Sequence, residues 1–396
     1  MNRKLIITKL EDKIWTALFE NDSIAELHCS SAVEKRESVA LGDIYVGRVK
    51  NIVKNIGAAF IEIADGVECY YAMDENPRPI FTRKIGKKSL CIGDELLVQV
   101  SKEALKTKAP TVSSKLNFTG KYAVLTTGDL RVGVSAKIAK EERARLIALA
   151  SDYSSDAFGI IIRTNAKDAD ETLVKNEITH LIREYERVVE NGKTRVCFSA
   201  LKTSSKQYLT ELRNIYQNGL MEIIVEDTDI YREVKEYLEK EQPEDLKNLR
   251  LYQDSLLPLH KLYSIEKHIT EALCEHVWLK SGAYLVIQPT EALTVIDVNS
   301  GKSTGEKQKK MTAEKVNLEA AYEVARQIRL RNLSGIILVD FINMDNEESM
   351  QQLLEILNRE LQKDAIATTL VDVTALQLVE ITRKKVRKPL HEAVRE

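Results

Sequence analysis

The chain has 396 residues, 44% of them hydrophobic, which is enough to bury more than one core. Its 58 basic and 60 acidic residues nearly cancel, so overall charge announces no polyanionic partner and any basic surface must be local. Five cysteines (Cys29, Cys69, Cys91, Cys197 and Cys274) form no CxxC pair, so no zinc knuckle or redox motif is visible. Scattered thiols, no signal peptide and no apolar run of about 18–20 residues make the cytoplasm the expected setting, with no membrane partner.

Residues 1–36 alternate apolar and polar in short runs ("KLIIT", "KIWTALFE", "SIAELHC"), which predicts a small antiparallel meander. It is too short to close its own core, so it needs a partner later in the chain. Residues 41–118 contain four further strand candidates, "DIYVGRVKNIV", "GAAFIEI", "VECYYAM" and "DELLVQVSKE", with glycines at the bends. Their order resembles an S1 domain, a five-stranded barrel of the OB-fold class. Such barrels bind single strands with aromatic and basic side chains on one face, and Phe60, Tyr70, Tyr71, Lys102 and Lys108 are the candidates. Alternation sends one of Tyr70 and Tyr71 outward. The expectation is Tyr71, with Phe60 and the other tyrosine open to a plain core role.

Residues 119–200 alternate strand and helix: "YAVLTTG", then "AKEERARLIALAS", "FGIIIRT" and the long charged helix "DADETLVKNEITHLIREYERVVENG". Residues 201–275 continue in α/β style with the strand "MEIIVED" and the helix "DIYREVKEYLEKE". The run "SIEKHITEALCEHVWL" reads as a helix. From 280 onward strands and helices alternate again, as a layered α/β domain. "AYLVIQ", "LTVIDVN", "GIILVDFINM" and "ATTLVDVT" are strands; 313–332 and "ESMQQLLEILNRELQ" are helices. The last segment, "ALQLVEITRKKVRKPLHEAV", begins helical and ends basic. Met350, Leu353, Leu354, Leu357 and Leu361 form a core stripe at helical spacing.

The segment 291–306, "EALTVIDVNSGKSTGE", raises a choice. Gly301-Lys302-Ser303-Thr304 looks like the end of a phosphate-binding P-loop, but that loop needs a glycine where this chain has Ile296, inside a strand pattern. The run 300–311 therefore reads as a mobile, basic loop beside a site. The other reading is a metal. Asp297 ends one apolar strand and Asp340 another, and in α/β layers ligands gather at strand ends. Two carboxylates suit magnesium, which takes hard oxygen ligands and keeps several waters. Asn299, two residues on, points to the same side as Asp297. Against this, a single strand-end Asp is more often a turn or cap residue. The six histidines show no ligand spacing.

"TEALTVIDVNSG" (290–301), "NLEAAYEVARQIRLRNLSGIILVDFINM" (317–344) and "LVEITRKKVRKPL" (378–390) closely resemble the catalytic domain of the ribonuclease E/ribonuclease G family. "FTGKYAVL" and "GIIIRTNA" resemble its 5′-sensing region. The resemblance covers essentially the whole chain. It implies single-strand-specific, magnesium-dependent endoribonucleases (Mn²⁺ as an alternative ion) that leave 5′-phosphate and 3′-hydroxyl ends. The family's two metal-binding aspartates match Asp297 and Asp340, and its nearby asparagine matches Asn299. Its 5′-monophosphate sensor matches Arg163 and Thr164, with Gly120 and Val124 as backbone and packing positions. RNA-contacting positions match Phe60, Tyr71 (Tyr for the more usual Phe), Lys102 and Lys108.

The implied layout is an RNase H-like domain split over 1–36 and 201–278, an inserted S1 barrel (37–118), a 5′-sensor region (119–200) and a DNase I-like catalytic domain (279–396). Two departures stand out. No CxxC follows "RKKVRKPL" to share a zinc between subunits, so zinc is not carried over and a homodimer would lack that link. Ala136-Lys137 stand where the family tends to arginine, which implies weaker sensing. The implied function is processing of ribosomal RNA precursors or decay of messenger RNA. The competing function is a non-catalytic S1-type RNA-binding or ribosome-associated protein, which has no use for carboxylates where phosphates pass.

Overall fold

The computed structural model describes residues 2–32, 39–87, 89–104, 109–215, 220–301, 306–344 and 346–395, without the side chains of 220, 221 and 306–312. The chain divides into two compact units, one made of 1–34 with 207–396 and the other of 35–206. In chain order the elements are the strands β1 (Arg3–Leu10), β2 (Lys13–Glu20) and β3 (Ser23–Ser31), followed by β4 (Ile44–Val53), β5 (Ala58–Ala64), β6 (Val67–Ala72), β7 (Phe81–Arg83), β8 (Glu95–Lys102) and β9 (Thr111–Ser113). Next come β10 (Asn117–Thr119), β11 (Ala123–Thr126), β12 (Gly133–Val134), α1 (Lys140–Ser151), β13 (Gly159–Ile162), α2 (Glu171–Thr194) and β14 (Ala200–Lys202). The chain continues through α3 (Gln207–Asn214), β15 (Leu220–Val225), α4 (Thr228–Glu241), β16 (Leu249–Leu251), α5 (Leu259–Leu262), α6 (Ile265–Leu273), β17 (His276–Trp278), β18 (Tyr284–Pro289) and β19 (Leu293–Asn299). It closes with α7 (Glu306–Leu330), β20 (Gly335–Asp340), α8 (Glu347–Leu361), β21 (Thr368–Val373), β22 (Leu378–Arg383) and α9 (Leu390–Ala393).

In the 35–206 unit, β4, β5, β6, β9 and β8 close into a five-stranded barrel through the β4–β8 pairing. Val49, Ile61, Ile63, Cys69, Val98 and Val112 fill it from alternate positions. The sheet β10-β11-β13-β12 packs on α1 and α2 around Phe118, Leu125, Ile160 and Ile178.

In the other unit the meander β1–β3 finds its later partner. β15 adds to β1 in parallel and β16 to β15, giving the order β16-β15-β1-β2-β3. The six-stranded sheet β17-β18-β19-β20-β22-β21 packs one face against α7 and α8. Leu285, Ile287, Ile296, Val298, Ile337, Val339, Val379 and Ile381 point to that face and pack on α7 and α8. The α8 stripe does pack as a core, with Leu353, Leu357 and Leu361 buried and Met350 and Leu354 beside them.

Three segments differ from the sequence reading. The expected helix over 264–279 ends at Leu273, because Cys274 turns extended and His276–Trp278 pair with β18 as an edge strand. The stretch read as helical after 375 is β22, inserted between β20 and β21, where Val379 and Ile381 alternate inward. Its inward Arg383 is neutralised by Asp364 at 2.7 Å and bonds Asn332 at 2.7 Å. Finally, α7 begins at Glu306, inside the run expected to be a loop; residues 302–305 lie outside the described residues.

One ion-pair cluster ties the end of α7 to the meander. Arg329 reaches Glu26 at 2.8 Å and Glu20 at 3.2 Å, while Arg3 reaches Glu20 at 2.9 Å. Burial works against a charged Glu26, but the Arg329 guanidinium and His28 outweigh it and hold the pKa well below the ordinary 4.5. A depressed carboxylate contributes stability that is complete above its unfolded pKa and drains away as pH falls toward the folded one. Unfolding by urea should therefore show stability falling from about pH 4.5 downward. Arg329→Ala should cost about 3 kcal/mol at neutral pH, by taking from the largely buried Glu26 its arginine partner and leaving Glu20 with Arg3 alone. It should also flatten that acid limb. A variant as stable as the parent would remove this cluster from the account.

Candidate functional site

The open face of the six-stranded sheet carries the first group of interest. β19 and β20 run parallel, and their register pairs Asp297 with Asp340 directly. The alternation that buries Ile296, Val298 and Val339 turns both aspartates outward, and both are exposed. The Asn299 side chain donates to Asp297 Oδ2 at 2.8 Å and so fixes that carboxylate. The chain after Asp340 is fixed from below. Buried Asn317 on α7 donates to the Ile342 carbonyl at 2.7 Å and accepts from its N–H at 3.0 Å. The backbone at Gly301 adopts φ +69°, and a Cβ there would sit 2.7 Å from the Gly282 carbonyl. That close approach gives Gly301 a structural reason that no phosphate need supply.

Two carboxylates on neighbouring strands, exposed and supported by an amide, fit a hard divalent cation that keeps much of its water shell. Among the described residues no group of three His, Cys, Asp or Glu side chains gathers as a fuller metal cage. Glu380 and Asp372 face each other on the same open face, and Glu380 neighbours Leu338. The sequence does not single them out, since the segment of Glu380 fits helical spacing as well as strand alternation and hides its pairing with Asp372.

The barrel carries the second group. Phe60 pairs with Tyr70, Tyr70 with Thr111, and Thr111 with Lys102. Four neighbouring strands thus set two rings, a hydroxyl and an ammonium in one outward row. The rings of Phe60 and Tyr70 meet edge to face at 6.3 Å. Tyr71 is not in this row. It is 1% exposed, packed in the barrel core with its hydroxyl bonded to Ser114 at 2.8 Å. The expectation that Tyr71 faces out is therefore corrected, and Tyr70 takes the outward place. Tyr71 pairs with Ala59 and Cys69 with Ile61, both core positions of β5, and this register fixes a phase that alternation alone leaves undetermined. Lys108 lies outside the described residues.

The third group sits where β13 ends. Arg163 donates through Nη1 to the Gly120 carbonyl at 2.6 Å, and its N–H bonds the Tyr122 carbonyl at 2.7 Å. Thr164 shares a 2.9 Å hydrogen bond with Ser135. Val124, on β11, pairs with Ile161, two residues before Arg163. The organising residue is one the sequence reading missed. Glu177 on α2 accepts backbone N–H groups from Lys121, Tyr122 and Ala123 at 2.8, 2.7 and 2.8 Å. Burial raises its pKa above the ordinary carboxylate value, although those N–H groups and Arg163 pull the other way. The signal was present: Glu177 falls on the stripe Val174, Ile178, Leu181, a charge on the buried side of an amphipathic helix.

Outward carboxylates in register at parallel strand ends thus share one chain with a barrel that carries an aromatic–basic row, the combination expected of a hydrolase that works on nucleic acid. The comparisons agree. The model of the ribonuclease E/G family matches residues 117–386, so the chain belongs to the ribonuclease E/G family, a family of endoribonucleases. It is 35% identical to ribonuclease E of Synechocystis sp. over 384 residues, covering 95% of this chain and 56% of that protein. It is 33% identical to ribonuclease G of Haemophilus influenzae over 401 residues, covering 97% and 79%. Against ribonuclease G of Escherichia coli K12 it is 32% identical over 401 residues, covering 98% and 81%. The chain thus spans little more than half of the first relative. No helix among the described residues is long and apolar enough to cross a membrane.

Two substitutions separate these roles. Tyr70→Ala should weaken binding of a short unstructured RNA by about 1–3 kcal/mol, the usual worth of one stacked base, with the melting temperature unchanged. Tyr71→Ala should destabilise the fold by about 3–5 kcal/mol as a core cavity. Filter binding and thermal unfolding read the two effects, and the opposite pattern would restore Tyr71 to the RNA face. At the third group, Gly120→Ala puts a Cβ 2.4 Å from the pinned Glu177 carboxyl. It should cost about 1–3 kcal/mol of stability, measured in urea.

Proposed function

We propose that this chain is an endoribonuclease that hydrolyses single-stranded RNA with a divalent cation, Mg²⁺ by preference and Mn²⁺ as a substitute. The observation that carries the reading is the register of Asp297 with Asp340. RNA phosphates and two adjacent carboxylates repel each other, so such a pair makes sense against RNA only with a cation between them. Asp297 and Asp340 would hold that cation. When bound, it supplies Lewis-acid neutralisation of the scissile phosphate and a water of lowered pKa. Asn299 holds the Asp297 carboxylate in one orientation through its 2.8 Å bond, and its carbonyl oxygen is left to meet ligand or water.

Further parts of the reading rest on the family resemblance together with the local geometry. The barrel row Phe60, Tyr70 and Lys102 would hold the strand by stacking and charge, with Lys108 contributing as a family position. Arg163 and Thr164 would take a 5′ monophosphate, since a guanidinium fork and a hydroxyl suit a terminal phosphate. A strand held by its 5′ end presents its downstream phosphates at raised effective concentration. The layout would be that of the family: RNase H-like parts at 1–36 and 201–278, an S1 barrel at 37–118, a sensor at 119–200 and a DNase I-like domain at 279–396. The substrates would be ribosomal RNA precursors or messenger RNA, met in the cytoplasm.

Cleavage of a 3′-labelled RNA by Asp340→Asn should fall by at least 10³-fold, while RNA affinity and melting temperature hold. Undiminished cleavage would sink the site, and binding without cleavage by the parent chain in Mg²⁺ would favour a pure RNA-binding protein. Arg163→Gln should abolish any preference for 5′-monophosphate over 5′-hydroxyl RNA. An unchanged rate ratio would remove the sensor.

A further inference from the structure

The open face of the catalytic sheet holds a feature that the proposed reaction does not use. Trp278 on β17 is 70% exposed, and its ring meets Tyr284 on β18 at 5.1 Å. The His276 ring also meets Tyr284, at 5.7 Å. Alternation forces these rings outward, because Val277 and Leu285 between them pack into the core. The register then aligns them with the carboxylates. Trp278 pairs with Tyr284, and Tyr284 pairs with Asn299, whose side chain holds Asp297. Strand spacing puts the Trp278 backbone about 10 Å from that of Asn299, within one flanking nucleotide of the carboxylate pair.

The support under this platform is stiff. The turn joining β17 to β18 has its Lys280 and Ser281 N–H groups bonded to the Glu319 carboxylate at 2.7 and 3.3 Å. Gly301 presses against Gly282 in the same turn. Beyond its contact with Tyr284, Trp278 keeps most of its indole in water, so the outer face of the ring is open to a ligand. Continuity with the carboxylates names the chemistry, since flat π-faces bind unpaired bases without regard to their hydrogen-bond pattern.

We propose that Trp278 and Tyr284 form a stacking platform for an unpaired nucleobase one or two positions from the scissile phosphate. This rests on the nuclease reading above. The platform would favour flexible single strands at the cutting point, because a base inside a duplex cannot be laid on a protein ring. The tilt of 53° between the rings and their short separation leave no slot between them. The base therefore lies on the outer side of Trp278.

The chain contains two tryptophans, and Trp15 is 4% exposed, so Trp278 dominates any fluorescence change caused by RNA. The test takes the full chain carrying Asp297→Asn in Mg²⁺ and titrates it with a ten-nucleotide unstructured RNA. Bound RNA should quench the fluorescence. The quench should vanish for the oligonucleotide made abasic beside the point where the parent chain cuts, and persist when a distant base is removed. In the parent background, Trp278→Ala should lower kcat/KM by roughly 5- to 150-fold, the equivalent of one stacked base. Trp278→Phe should retain most of the activity. Full activity in Trp278→Ala, or a quench indifferent to the position of the missing base, overturns the platform while leaving the nuclease intact. Altered sedimentation of Trp278→Ala with an unchanged cleavage rate overturns it in favour of a contact between copies of the chain. A parent chain that cuts no RNA removes the nuclease reading itself.

Discussion

Two carboxylates placed directly opposite each other on adjacent strands are an unfavourable arrangement for a sheet, since like charges in register repel. Asp297 and Asp340 stand in that relation. The surrounding structure maintains it. Asn299 pins one carboxylate, and Asn317 grips both backbone groups of Ile342 just after the other. β22 completes the hydrogen bonding of β20, so the strand end cannot fray. A fold that spends this much order on a repulsive contact makes sense if a cation relieves it. On the proposed function, the same field would draw a divalent ion and would exclude RNA without one.

The sheet makes this possible by being one-sided. Its apolar residues alternate onto α7 and α8, which leaves a second face free for polar and aromatic side chains. The carboxylates, Asn299, Tyr284 and Trp278 all lie on that free face. α7 has two tasks. Its middle packs under the six-stranded sheet, and its end, through Arg326 and Arg329, holds the meander strand β3 and its neighbours. In the other unit the barrel and the sheet around Arg163 repeat the economy: backbone register, more than side-chain contact, sets which groups face out together.

Strands with strict alternation, such as "LTVIDVN" and "GIILVD", were legible, and so was the presence of a carboxylate at each end. What pairing adds is the register, which no single strand encodes. Misreadings fell where two periods fit the same short run. "LVEITR" satisfies helical spacing with its flanks as well as strand alternation, and only its insertion between β20 and β21 decides. "CEHVWL" continued the apolar rhythm of α6 past its true end at Leu273. Tyr71 was misplaced because alternation leaves the phase of a strand free until a barrel closes around it. Glu177 was overlooked although a charge in an apolar stripe marks a residue with a buried partner. Here the partners are three backbone N–H groups, which have no signature in sequence.

The most direct test is of the cation itself. Binding of Mn²⁺ to the full chain, followed by electron paramagnetic resonance in the absence of RNA, reports stoichiometry and affinity without any catalytic readout. The paired carboxylates predict one saturable site per chain, displaced by excess Mg²⁺ and weakened at least tenfold in both Asp297→Asn and Asp340→Asn while thermal unfolding stays as in the parent. Equal Mn²⁺ binding by parent and both variants would contradict the pairing of these two residues as the metal site.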